Sequence, residues 1–158
     1  MTKKEIIDRL NYLRSKELFA IQQYMNHYYE AKGPNFSEVK GLERSIAIVE
    51  MKHAELLAEK ITMLGGEPIT NPGQVQEMKG AAVFTSESVD EMIRADLNLE
   101  RNAIQDYTKA IVDIGDTDPG IRKMLEDILG QEEEHADSFG NYLGEQQAYD
   151  VEAMRKAA

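Results

Sequence analysis

The 158-residue chain contains no cysteine. That absence removes disulfides, thiolate metal sites, iron–sulfur clusters and cysteine nucleophiles in one step, so any metal must be held by oxygen and imidazole nitrogen. Positive charge is also scarce: 18 Lys and Arg stand against 29 Asp and Glu, a formal net charge of −11. This balance opposes electrostatic contact with nucleic acid or anionic lipid and favours multivalent cations as partners. No run approaches the roughly 18 uncharged apolar residues that a membrane-spanning helix needs. The opening Met1-Thr2-Lys3-Lys4-Glu5 leads into a charged amphipathic segment, not the apolar block of an export signal. The expectation is a cytoplasmic protein with neither a membrane nor a nucleic-acid partner. Phosphate loops, the G-x-S-x-G elbow and the zinc-protease H-E-x-x-H are missing too, which leaves hydrolase and nucleotide-binding readings without support.

What the chain does have is helical periodicity, and 42% hydrophobic residues from which to build a core. Four segments are bounded by turn chemistry. The first runs from about Lys3 to Ala31, with Thr2 and Glu5 in a capping-box pattern, and stops at Lys32-Gly33-Pro34. The second starts after Ser37 and ends at Gly65-Gly66; the third starts near Thr85 to Ser88 and ends at Gly115. The fourth opens with Asp118 as cap and Pro119 as first helical residue, and fades near Gln147. Each is about 28 residues, or ~42 Å at 1.5 Å per residue.

Link length then constrains topology. The short links at Lys32 to Phe36 and Gly115 to Asp118 can only turn the chain back. The 21 residues from Gly65 to Thr85 can recross a ~42 Å helix at ~3.3 Å each. The predicted fold is therefore an all-α four-helix bundle of two antiparallel hairpins joined by one long crossover, spanning residues 1–147, with a 148–158 tail that forms at most a short helix.

The hairpins read as copies. Glu17-Leu18-Phe19-Ala20-Ile21-Gln22-Gln23-Tyr24 and Glu100-Arg101-Asn102-Ala103-Ile104-Gln105-Asp106-Tyr107 share E-x-x-A-I-Q-x-Y. Glu50-Met51-Lys52-His53-Ala54-Glu55 and Glu132-Glu133-Glu134-His135-Ala136-Asp137 share E-x-x-H-A followed by an acid. The offset is 83 residues from Glu17 to Glu100 and 82 from Glu50 to Glu132. On the i, i+3, i+4, i+7 stripes, each otherwise apolar helix face is interrupted once near its midpoint, by Glu17, by Glu50 with His53, by Glu100, and by Glu132 with His135. Antiparallel neighbours keep midpoints level, so four carboxylates and two imidazoles converge inside the bundle. No Lys or Arg shares those stripes at that level. Buried carboxylates without compensation cost several kcal/mol each. Two divalent cations would offset the four negative charges, with the imidazoles completing coordination. A Glu from each of two helices plus Glu-x-x-His from the other two is the known dinuclear pattern of ferritin-like bundles.

On these residues the chain resembles the bacterioferritins, within the ferritin-like superfamily, over about nine tenths of its length. The resemblance implies that Glu17 with His53 holds one iron, Glu100 with His135 a second, and that Glu50 and Glu132 bridge them, giving two iron ions per subunit. The implied activity is oxidation of Fe(II) to Fe(III) by dioxygen or hydrogen peroxide, with the mineral stored in a hollow homo-oligomeric shell of 24 subunits, or of 12 as in Dps-like proteins. Tyr24 resembles the family's tyrosine that hydrogen-bonds a ligand carboxylate, whereas its repeat mate Tyr107 reads as a core aromatic. Met51 stands where the family places a methionine ligating haem b shared between two subunits, and lies about 100° off the bundle seam on its helix. His27 reads as solvated or at an interface. Glu133, Glu134 and Asp137 form an exposed acidic face. Two other classes stand beside iron storage: a dinuclear peroxidase or catalase of the rubrerythrin kind, and a Dps-like protective shell.

Overall fold

The computed structural model describes residues 1–145, 150 and 152. Four helices carry the architecture: α1 (Lys3–Glu30), α2 (Phe36–Met63), α3 (Val89–Ile114) and α4 (Pro119–Tyr142). The crossover between α2 and α3 contains two short 3₁₀ turns, Pro72–Gln74 and Gln76–Met78. Helix α1 pairs with α2 and α3 with α4, and α1 also packs along α3. The tail expected at 148–158 falls outside the described residues apart from Asp150 and Glu152.

Three helix starts use the chemistry their sequences announce. The Glu5 backbone N–H donates to Thr2 Oγ1 at 3.3 Å while the Thr2 N–H donates to the Glu5 carboxylate at 2.6 Å. Ser88 accepts from the Glu91 N–H at 3.4 Å and Asp118 from the Ile121 N–H at 2.9 Å. Each cap satisfies an otherwise unpaired donor and contributes about 1 kcal/mol.

The start of α2 differs from expectation. It begins at Phe36, ahead of Ser37, because Asn35 adopts a left-handed conformation (φ 61°) and serves as N-cap through its backbone, with no side-chain bond. The carbonyls of Gly33 and Asn35 accept from Phe36 and Val39, which closes the turn within the link itself. Helix α4 ends at Tyr142, short of Gln147. The second hairpin is thus slightly shorter than the first, at 26 and 24 residues against 28 and 28.

The crossover is strapped to α1 along its length. Asn11 donates to the Glu67 carbonyl (3.1 Å) and accepts from the Ile69 N–H (3.0 Å), and Arg14 donates to the carbonyls of Ile69 and Ala54. Near the other end, Gln23 pairs with both backbone groups of Phe84, at 2.7 and 2.8 Å. Gly66 begins this path where a Cβ would lie 2.8 Å from Ile7 Cγ2, so glycine lets the chain leave α2 this close to α1 without displacing Ile7.

The buried core divides in two. One cluster includes Ile46, Met92, Ile93, Leu97 and Phe139; the other includes Leu10, Leu13, Leu57, Ile61, Leu125 and Ile128. Burying each large aliphatic side chain contributes roughly 1.5–3 kcal/mol, which offsets the polar layer lying between the clusters.

Candidate metal centre

Glu17, Glu50, His53, Glu100, Glu132 and His135 project from the middles of the four helices into the gap between the two core clusters, as the periodicity requires. The four glutamates and His53 are at most 2% exposed, and His135 is 7% exposed. Their donor atoms fall into two sets, Glu17–Glu50–His53–Glu132 and Glu50–Glu100–Glu132–His135, each with its ligand atoms within 4.8 Å of one another. Glu50 and Glu132 belong to both.

The imidazoles face inward through Nδ1. His53 Nδ1 lies 2.8 Å from Glu50 Oε2, 2.9 Å from Glu132 Oε1 and 3.9 Å from Glu17 Oε2. His135 Nδ1 lies 2.7 Å from Glu50 Oε1 and 3.8 Å from Glu100 Oε2. The rings stack with centroids 5.9 Å apart. The outward His53 Nε2 lies 3.3 Å from Gln131 Oε1, an acceptor that keeps a proton there when Nδ1 gives up its own contact with Glu50 to a metal. Glu50 Oε1, Glu132 Oε1 and His135 Nδ1 are buried without a hydrogen-bond partner, although Glu50 Oε1 and His135 Nδ1 are only 2.7 Å apart. Proximity without hydrogen-bond alignment is what lone pairs directed at a common third atom produce.

Without cations the layer resolves its crowding with protons. Burial, followed by repulsion from Glu50, pushes the Glu17 and Glu132 carboxyls well above the usual range, and Glu100 rises for the same reasons. Burial also acts against ionised Glu50, but the His135 and His53 imidazoles beside its two oxygens override it and hold the group at about 2. His135 is pushed up to about 10, because the Glu100 and Glu50 carboxylates beside it outweigh the desolvation that opposes its charge. A layer that retains protons when empty releases them to bind metal.

Two tyrosines cross the layer. Tyr24 of the first hairpin donates to Glu100 of the second at 2.5 Å, and Tyr107 of the second donates to Glu17 of the first. Tyr24 therefore hydrogen-bonds a carboxylate of the layer, one supplied by the opposite hairpin. Tyr107 is more than the core aromatic anticipated; the internal repeat that pairs it with Tyr24 is the signal that identifies its role. A cavity of about 190 Å³ between α1 and α3, beneath Met78 of the crossover, reaches Glu17, Glu100 and Glu132. Met51 stands apart on the outer face of α2, 55% exposed.

His27 corrects the sequence reading. It is fully buried, with Nδ1 2.8 Å from Asp96 Oδ2 and 3.9 Å from Glu43 Oε1, because the crossover covers the flank of α1 that would otherwise meet solvent. Glu43 and Asp96 were not anticipated. Burial and the nearby Asp96 push the Glu43 carboxyl up to about 11.

A family model for the ferritin-like domain matches residues 7–148. The chain is 34% identical over 142 residues to a bacterioferritin from Desulfovibrio desulfuricans, covering 88% of this chain and 74% of that protein. It is 32% identical to a bacterioferritin from Streptomyces coelicolor, covering 88% and 80%. Among solved structures it superposes with a TM-score of 0.84 on a dodecameric thioferritin, the bacterioferritin-related protein from Bacteroides fragilis, at 26% identity over 99% of this chain and 92% of that one. Among the described residues no helix is long and apolar enough to cross a membrane.

Proposed function

The chain belongs to the bacterioferritins of the ferritin-like family, and from that membership we propose that the paired donor sets are its centre for oxidising Fe(II). Iron storage and Fe(II) oxidation by a homo-oligomeric shell are the functions the membership carries. The reading is specific to residues: Glu17 and His53 hold one Fe(II), Glu100 and His135 the other, and Glu50 and Glu132 bridge. Its support is the pair of four-residue donor sets that share two carboxylates.

Hard carboxylate oxygens favour Fe(III) over Fe(II), so the donor set lowers the barrier to losing an electron. Two Fe(II) held together supply two electrons at once, which with two protons reduce dioxygen to hydrogen peroxide, or hydrogen peroxide to water. The carboxyls give up their protons as Fe(II) enters. Tyr24 and Tyr107 fix the orientation of Glu100 and Glu17, and the cavity beneath Met78 offers small reactants a way to the centre.

Glu17→Ala or His53→Ala should abolish rapid Fe(II) oxidation while leaving the bundle folded, read by stopped-flow absorbance and circular dichroism. Wild-type kinetics in both variants would refute the assignment. Peroxide turnover without iron retention would instead favour a rubrerythrin-like enzyme.

Met51 is our candidate for a haem b ligand. Its thioether is exposed, with Ile48 one turn earlier also exposed on α2, so a second copy could approach across a two-fold axis. Haem bound through two methionines would give a sharp Soret band that Met51→Ala abolishes. Our first reading of the shell is 24 subunits, with 12 as the alternative that the dodecameric neighbour supports. Particle mass decides, at twenty-four or twelve times the 17.9 kDa chain.

A further inference from the structure

We propose that His27, Glu43 and Asp96 form a third, mononuclear site for a divalent transition-metal cation, inside the bundle but apart from the dinuclear pair. The three residues come from α1, α2 and α3, and each is fully buried. One ligand atom from each lies within 4.8 Å of the others.

Three further observations point to a ligand. Both oxygens of Glu43 and Oδ1 of Asp96 are buried with no hydrogen-bond partner. Leaving such atoms unpaired costs on the order of 1–3 kcal/mol each, more if they are charged. His27 is oriented as a metal-binding imidazole usually is. Its Nδ1 faces the two carboxylates, 2.8 Å from Asp96 Oδ2 and 3.9 Å from Glu43 Oε1. Its Nε2 is held from behind by the Gln23 side-chain amide at 2.8 Å, which both backbone groups of Phe84 fix in turn, so release of the Nδ1 proton on binding aims a lone pair at the cation without moving the ring.

The internal repeat supplies the third observation. Shifted by the same offsets, His27 corresponds to Ala110, Asp96 to Leu13 and Glu43 to Leu125. Those three are fully buried apolar residues in the lower core cluster. The bundle therefore closes at this level without polar groups, and the buried trio is not a requirement of the fold. Once Glu43 gives up its proton to an incoming cation, a neutral imidazole with two carboxylates carries two negative charges, which a divalent cation offsets. One nitrogen and carboxylate oxygens, with no sulfur, suit Fe(II), Mn(II) or Zn(II).

The test uses Zn(II), which does not change oxidation state. Crystals of the metal-free full-length protein are soaked in Zn(II) and anomalous data collected at the zinc edge. We expect a peak bound by His27 Nδ1, Glu43 and Asp96 at about 2.0–2.2 Å. Peaks at the dinuclear pair alone would overturn the third site and leave the proposed oxidation centre standing. A peak at the third site alone would support it and count against that centre; no peak at either would overturn both. In solution, Glu50→Gln/Glu132→Gln removes the shared bridges. One Zn(II) per chain should still bind by calorimetry, and adding Glu43→Gln should weaken it by more than tenfold. Unchanged affinity would refute the assignment.

Discussion

The bundle is built twice over, and its two ends, one on each side of the central carboxylate layer, differ where the repeat says they should match. Toward one end the helices close over Leu13, Ala110 and Leu125; at the related positions toward the other they close over Asp96, His27 and Glu43. Both ends pack to complete burial. The two halves share the backbone and the residues of the central layer, yet the neighbouring level is apolar on one side and ionisable on the other. Burial at a given depth of this bundle therefore does not dictate polarity, and a polar level persists against a stability cost that its apolar mate avoids.

The largest effect should come from forcing the ends to match the wrong way. Leu125→Glu places at the apolar end an acid without His27 or Asp96 as neighbours. The variant should lose several kcal/mol, read as a lower urea midpoint at unchanged slope. The reverse change should stabilise. Replacing His27, Glu43 and Asp96 together by leucine should raise the metal-free protein's stability by roughly 1–4 kcal/mol, as removing buried ionic clusters often does. A loss of stability would mean the polar level is structural after all.

The central layer is common to both ends and sets the next two predictions. Tyr24→Phe and Tyr107→Phe each remove one hydrogen bond across the pseudo-symmetric layer, so they should destabilise by similar amounts, about 1–3 kcal/mol. A clear inequality between them would show that the repeat is broken in the layer as well.

The smallest and most gradual effect is with pH. Glu17, Glu100 and Glu132 have folded values raised above the unfolded one, so their contribution is present below the normal glutamate value and fades as pH rises. His135, raised to about 10, contributes fully below its unfolded 6.5 and loses that contribution as pH rises through about 10. Glu50 acts oppositely, but only as pH falls below 4.5 toward 2. The metal-free chain should therefore be more stable at pH 5 than at pH 8 by urea denaturation. Saturating Zn(II) should reverse the trend, because binding releases the protons.

Much of this was legible in the sequence because the information was periodic. Helix faces, the midpoint interruptions and the duplicated motifs repeat at fixed spacing, and together they bring six side chains into one buried layer and place the crossover. What periodicity cannot see is cover supplied by another segment. His27 sits off the apolar stripe of α1, and it is buried because Gln23 recruits Phe84 over that flank. Glu43 and Asp96 lay within reach, seven residues before Glu50 and four before Glu100 on the same helical faces. Leu42 and Leu97 beside them satisfy the apolar pattern and so mask them in the sequence. The start of α2 was misplaced because Asn35 caps through backbone conformation, which a search for a side-chain cap does not detect.

The exchanged tyrosines have a consequence for ancestry. Since Tyr24 secures a carboxylate of the second half and Tyr107 one of the first, a gene encoding a single helical pair would yield a polypeptide with half a centre and a hydroxyl lacking its acceptor. Two identical copies meeting face to face would complete both. Fusing such a gene to itself would fix the encounter within one polypeptide and free each half to change alone, and the lopsided chemistry beside the central layer fits that freedom.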